Sequence, residues 1–143
     1  MAYDPDNIFA KILAGDIPCF SVYEDDATLA FMDVMPQSPG HTLVIPKSPA
    51  ANLFDLDMAA GAAVLSTTQK VAAAVKEAFH ADGIMLNQFN GPVAGQTVFH
   101  FHMHIVPRYE NVPLRRHTGD MEDSEVLQGQ ADKIKAALAS QQA

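Results

Sequence analysis

Phe99-His100-Phe101-His102-Met103-His104-Ile105-Val106-Pro107-Arg108 holds three of the chain's six histidines, and the rest of the sequence is read outward from it. His100, His102 and His104 alternate strictly with Phe101, Met103 and Ile105. A period of two is the strand period, so the spacing predicts a β-strand with the three imidazoles on one face. Phe99, Phe101, Met103 and Ile105 fall on the opposite, buried face. Same-face neighbours on a strand stand ~6.6–6.8 Å apart, which separates the outer two rings by ~13 Å. With His–metal bonds of ~2.0–2.1 Å, one ion cannot be held by all three rings of a straight strand. Two of them could share an ion only with a further ligand from elsewhere.

A lone histidine on a strand face is most often a hydrogen-bonded structural residue. Three in register, opposite an apolar face, are a different matter. A strand holds them at set spacing, so one ring can attack as a nucleophile while its neighbours donate to the oxygens of the attacked centre.

At 143 residues the chain has room for one domain with a sizeable core and too little for two. Apolar content of 48% with 18% charged residues fits a globular chain and excludes a disordered one. The apolar runs are far shorter than a bilayer span, and the polar, acidic start lacks a signal-peptide pattern. The expectation is a cytoplasmic protein with no membrane partner. Cys19 is the only cysteine, which leaves no internal disulfide and no Cys-x-x-Cys zinc site. Net charge is −8, which argues against nucleic acid as a partner, because non-specific binding of a polyanion rests on summed positive charge. A phosphate-bearing ligand would have to be bound by local donors.

Taken in order, residues 6–14 read as a short helix capped by Asp6 or Asn7, with Ile8, Ile12 and Phe9 as its inner side and Gly15 as its end. Phe20 to Glu24 and Thr28 to Val34 read as a hairpin turning at Asp25-Asp26. Met35-Pro36-Gln37-Ser38-Pro39-Gly40 is a loop, and His41 to Ile45 a third strand. Phe54 to Ala81 is the long helix, with Leu56, Ala60, Val64, Val71, Val75 and Phe79 as its stripe and Gly83 as its stop. Ile84 to Phe89 is the fourth strand and the histidine stretch the fifth. After Pro107 the chain turns basic and irregular, and Glu122 to Ala139 is a final helix with Val126 or Leu127, Ile134 and Leu138 inside. Together these give an α+β fold: a five-stranded antiparallel sheet, one long helix and short flanking helices. The whole chain, 1–143, reads as one domain with a core over about 6–110 and a C-terminal extension carrying the helix 122–139.

His-Phe-His-Met-His-Ile-Val resembles the signature of the histidine triad (HIT) family. Ala94-Gly95-Gln96-Thr97-Val98 before it and Pro107-Arg108-Tyr109 after it also look like that family. So do Ala30 to Lys47, which include Asp33 and His41, and Ile8-Phe9-Ala10-Lys11-Ile12 with Ile17-Pro18. The resemblance implies a homodimer that pairs the long helix and the fourth strand across a two-fold axis. It implies chemistry that needs no cofactor and no metal. It makes His102 the nucleophile on the α-phosphorus of a purine nucleotide, forming a nucleotidyl-histidine that water cleaves. His104 would donate to phosphate oxygens, and His100 would hold the middle ring through a side-chain or main-chain relay. His41 would support the triad. Asp33 would accept the ribose hydroxyls, a natural task for a carboxylate. Phe9, Phe31 and Leu43 read either as walls of the base pocket or as ordinary core. Gly95-Gln96-Thr97 would lie close to the phosphate and leaving group, with Gln96 and Thr97 binding the nucleotide. One position departs: Phe89 stands where many members carry an amide. Asn90 takes over that amide role, or the contact is lost.

The implied activity is hydrolysis of nucleoside phosphoramidates or related AMP-X substrates. The alternatives are hydrolysis of dinucleoside polyphosphates and a nucleotide-binding regulatory module with little turnover.

Overall fold

The computed structural model describes residues 3–116 and 120–141. Five strands form one antiparallel sheet in the order β1-β2-β3-β5-β4. They are β1 (Ser21–Glu24), β2 (Thr28–Met32), β3 (Thr42–Pro46), β4 (Gly83–Asn87) and β5 (Met103–Arg108). The helices are α1 (Ile8–Leu13), α2 (Met58–Ala78) and α3 (Ser124–Gln141), with 3-10 turns at Leu53–Asp55 and Pro92–Ala94. No helix among the described residues is long and apolar enough to cross a membrane.

Alternation along the strands divides two cores. Ala30, Met32, Val44 and Ile105 point to the side covered by α2 and α3, where they meet Val64, Val71, Val75, Leu127 and Ile134. Leu29, Phe31, Leu43 and Ile45 point the other way and pack with Phe9 of α1. The strand register lines Phe31 up with Leu43, Leu43 with His104, and His104 with Asn87. A row therefore crosses the sheet on the α1 side, apolar at β2 and β3 and imidazole at β5.

Several boundaries differ from the sequence expectation. The fifth strand begins at Met103, not Phe99, so His100 and His102 precede the ladder. Other bonds occupy the backbone there: Phe101 N–H donates to the Ala50 carbonyl, and the His100 ring takes the Pro46 carbonyl. Side-chain-to-backbone bonds of this kind compete with strand pairing. The long helix starts at Met58, four residues after Phe54, which is 85% exposed in the 3-10 turn. Asn52 and Asp55 close that turn as a capping box, and Asp57 caps α2. The helix ends at Ala78, and His80 adopts a positive φ of 51° beyond it, well before Gly83. A Cβ at Gly61 inside α2 would approach Leu56 Cδ2 to 3.2 Å, so that side chain would have to give by a few tenths of an ångström. In α1 the cap is Asn7, whose side chain accepts from Phe9 and Ala10 N–H, and Ile8 is exposed rather than buried. In α3 the inner residue is Leu127, while Val126 is exposed. Far from hanging off the fold, α3 contributes Leu127, Ala131, Ile134 and Leu138 to the main core.

Candidate functional site

His102 and His104 open onto a cavity of about 230 Å³ on the α1 side of the sheet. Its walls are mainly apolar: Phe9, Ile12, Ile17, Phe31 and Leu43 on the inner side, and Thr97 beside the histidines. Phe9 meets Phe31 and His102 edge-on, at ring-centroid distances of 5.3 and 5.0 Å. The two histidine rings are 4.9 Å apart.

Their hydrogen-bond partners assign their protons. His102 Nδ1 lies 2.7 Å from the His100 carbonyl oxygen. A carbonyl only accepts, so Nδ1 carries the hydrogen and the lone pair sits on Nε2. For His104 the argument starts two residues further out. The Gln37 backbone N–H donates to His41 Nδ1 at 3.0 Å, which places the hydrogen of a neutral His41 on Nε2. His41 Nε2 is 2.9 Å from His104 Nδ1 and donates to it. The hydrogen of His104 is therefore on Nε2. Two adjacent rings thus differ at the same atom: His102 Nε2 carries a lone pair and His104 Nε2 a hydrogen.

His100 is fully buried and holds this arrangement from behind. Its Nε2–H donates to the Pro46 carbonyl at 2.8 Å, and its Nδ1 accepts from the Tyr3 hydroxyl at 2.7 Å. Burial pushes its pKa below the ordinary imidazole value, against the smaller opposing effect of the Pro46 carbonyl. Its link to His102 runs through the main chain, not the side chain.

Asp33 follows β2 and lines the same cavity. One carboxylate oxygen accepts from Met35 N–H at 2.9 Å; the other lies 3.4 Å from His41 Nε2 and 3.9 Å from His104 Nδ1. These three residues bring ligand-type atoms within 4.8 Å of one another, a possible metal triangle. The donor set does not suit an ion as it stands. Gln37 N–H fixes the His41 hydrogen on Nε2, the atom that would have to offer a lone pair. His41 Nε2–H instead serves His104 Nδ1, with the Asp33 carboxylate beside it.

The two amides named from the sequence are directed elsewhere. Gln96 is buried; its Nε2 donates to the Ala51 and Val98 carbonyls, and its Oε1 accepts from Gly91 N–H. Asn90 exchanges hydrogen bonds with Gln88 and accepts from Leu53 N–H. Neither lines the cavity. Each staples the loop between β4 and β5, and proximity to the histidines in sequence does not reveal that direction. Phe89 sets its ring 5.5 Å from that of His104, against Gly95, whose φ of +109° favours glycine. Tyr3 and Met121, behind and in the site, lie outside the motif stretches, the first near the N-terminal end and the second in a charged segment; Gln37 lies within one but acts through its backbone, which residue type does not reveal.

Comparison with known proteins agrees with this architecture. The HIT domain family matches residues 14–111. The chain belongs to the HIT family. A solved HIT-like protein from Bartonella henselae, described as involved in cell-cycle regulation, is 50% identical, with 96% of this chain and 99% of that one covered at a TM-score of 0.92. A zinc-bound HIT protein from Mycobacterium smegmatis is 35% identical, with 96% of each chain covered at a TM-score of 0.85. An adenosine 5′-monophosphoramidase of Schizosaccharomyces pombe is 42% identical over 101 residues, 71% of this chain and 73% of that one. An adenylylsulfatase of Arabidopsis thaliana is 39% identical over 119 residues, 79% of this chain but only 60% of that longer protein.

Proposed function

We propose that this HIT protein hydrolyses purine nucleotides of the AMP-X type, nucleoside phosphoramidates foremost, through a nucleotidyl intermediate on His102. The observation that carries this is the pair of hydrogen bonds behind the rings, His102 Nδ1 to the His100 carbonyl and His104 Nδ1 to His41 Nε2, which set opposite tautomers on two rings lining one cavity. His102 Nε2 attacks the α-phosphorus, and the bond from phosphorus to the leaving nitrogen breaks. Water then cleaves the P–Nε2 bond. In the first step the leaving nitrogen departs as the neutral amine from the N-protonated phosphoramidate; in the second, the water's hydroxyl goes to phosphorus, the electron pair of the P–N bond returns to His102 Nε2, and the water's proton is released to solvent. His104 Nε2–H donates to a phosphate oxygen as charge builds on it, the place where an aligned donor lowers a barrier most. Asp33 receives the ribose hydroxyls, and Phe9, Phe31 and Leu43 wall the base. Family relatives named for phosphoramidase and adenylylsulfatase activities support this choice of substrate.

The same reading includes a homodimer. In its support, β4 is an edge strand with one side unpaired among the described residues, and Leu65 on α2 and Leu86 on β4 are exposed beside each other in one apolar hollow. A Leu86→Arg variant should sediment as a monomer.

Intact-mass spectrometry after mixing with adenosine 5′-phosphoramidate, without acid quench, tests the chemistry. The expected result is a transient gain of one adenylyl mass that is absent in His102→Ala. Nucleotide binding with no adduct and no ammonia release would replace hydrolysis with a binding-module function.

A further inference from the structure

Among the residues that line the cavity, Met121 lies beyond the C-terminal end of the matched domain at residue 111, as Ile8, Phe9 and Ile12 of α1 lie before its start at residue 14. Met121 lines the cavity next to Val34 and Met35 on the Asp33 side. We propose that Met121 is a substrate-binding contact that packs against the nucleoside. The inference rests on the proposed nucleotide chemistry and adds to it a residue from the C-terminal segment.

A single exposed apolar side chain is ordinary on a protein surface. Two observations set this one apart. First, Met121 is 69% exposed at the rim of an apolar cavity, and Ile8, 47% exposed, stands on the rim of the same cavity. Both have apolar surface that a bound nucleoside would cover. Second, the segment is anchored. Arg115 N–H donates to the Gln37 carbonyl and Glu122 N–H to the Val34 carbonyl, each at 2.8 Å. Arg115 and Glu122 also pair with each other at 3.3 Å. Beyond them α3 is locked into the main core by Leu127 and Ile134. The Glu122 bond to Val34 holds the backbone next to Met121 against the cavity edge. An unbranched, polarisable side chain adapts well to a flat ring or a sugar face.

Steady-state kinetics with adenosine 5′-phosphoramidate, and calorimetry with AMP, test the assignment on the full-length protein. Met121→Ala should raise KM, and the AMP dissociation constant with it, by about tenfold at unchanged kcat, the loss expected for one partly buried methionine side chain. Met121→Leu should restore both values. A KM for Met121→Ala equal to that of the unaltered protein would overturn the contact and leave the nucleotidyl-His102 chemistry standing. A fall in kcat at constant KM would overturn it too, since that pattern marks a group acting in the transition state. An unaltered protein that neither binds AMP nor releases ammonia would bring down the substrate reading and the contact together.

Discussion

His102 and His104 stand two residues apart and face one cavity, yet the chain holds them by different means. His102 is fixed by a backbone carbonyl, that of His100. His104 is fixed by another side chain, His41, which is itself set by a backbone amide and flanked by the Asp33 carboxylate. A ring held by a carbonyl keeps its hydrogen on the same nitrogen whatever its neighbours do. A ring held by an imidazole inherits that imidazole's state. The proposed nucleophile thus has the invariant partner, and the proposed donor has the adjustable one.

Substitutions sharpen that contrast. The largest effect belongs to His102→Ala, which should reduce turnover on the order of 10³-fold or more while AMP binding stays within about tenfold. Unaltered turnover would remove His102 as the nucleophile. Next comes His41→Phe, which deletes the donor to His104 Nδ1 and frees the His104 hydrogen to move there, away from the cavity. A loss of about 10–100-fold in kcat, typical for a group that orients a functional histidine, is expected with little change in KM. His100→Gln leaves the His100 carbonyl in place and should cost less kcat than His41→Phe. The reverse order would break the comparison. Asp33→Ala should weaken AMP by about tenfold and 2′-deoxy-AMP by less, through the loss of hydrogen bonds to a charged acceptor. Because Asp33 also lies near His41, the ratio of the two affinities is the measurement that counts; an unchanged ratio would show that Asp33 does not read the ribose.

How much of this was legible in the sequence depends on the range of the interactions. The period of two correctly placed His104 and Ile105 on opposite faces of β5, and the helical stripe placed Val64, Val71 and Val75 against the sheet. Both patterns are local consequences of burial. The same period places the start of β5 too early, because Phe99 to His102 keep the alternation while their backbone bonds go to Ala50 and to the His102 ring. Periodicity reports where side chains point and is silent on what the main chain is bonded to. Gln96 and Asn90 illustrate a related point: an amide near a motif looks the same in sequence whether it faces a cavity or staples its own loop, as these two do. Tyr3 lies 97 residues from His100, and Gln37 acts through a backbone N–H that any residue but proline supplies. Neither distance nor backbone role leaves a trace in residue type.

The smallest effect is on stability, and it tests the back of the site. Burial holds the folded-state pKa of His100 below its ordinary value, so the folded protein resists a proton that the unfolded chain accepts. The sign follows directly. Above about pH 6.5 both states are neutral at this residue, and its contribution to stability is fully present. As pH falls below that value the unfolded state gains the proton first and stability declines, until the folded-state pKa is reached. A protonated His100 would also turn Nδ1 from an acceptor into a donor facing the Tyr3 hydroxyl, which would then have to rotate. Thermal midpoints measured between pH 7.5 and 5.5 should therefore drop more steeply in the unaltered protein than in His100→Gln, which has no proton to gain at this site. Equal slopes would mean that His100 titrates alike in both states, and the neutral clamp behind His102 would lose its physical basis.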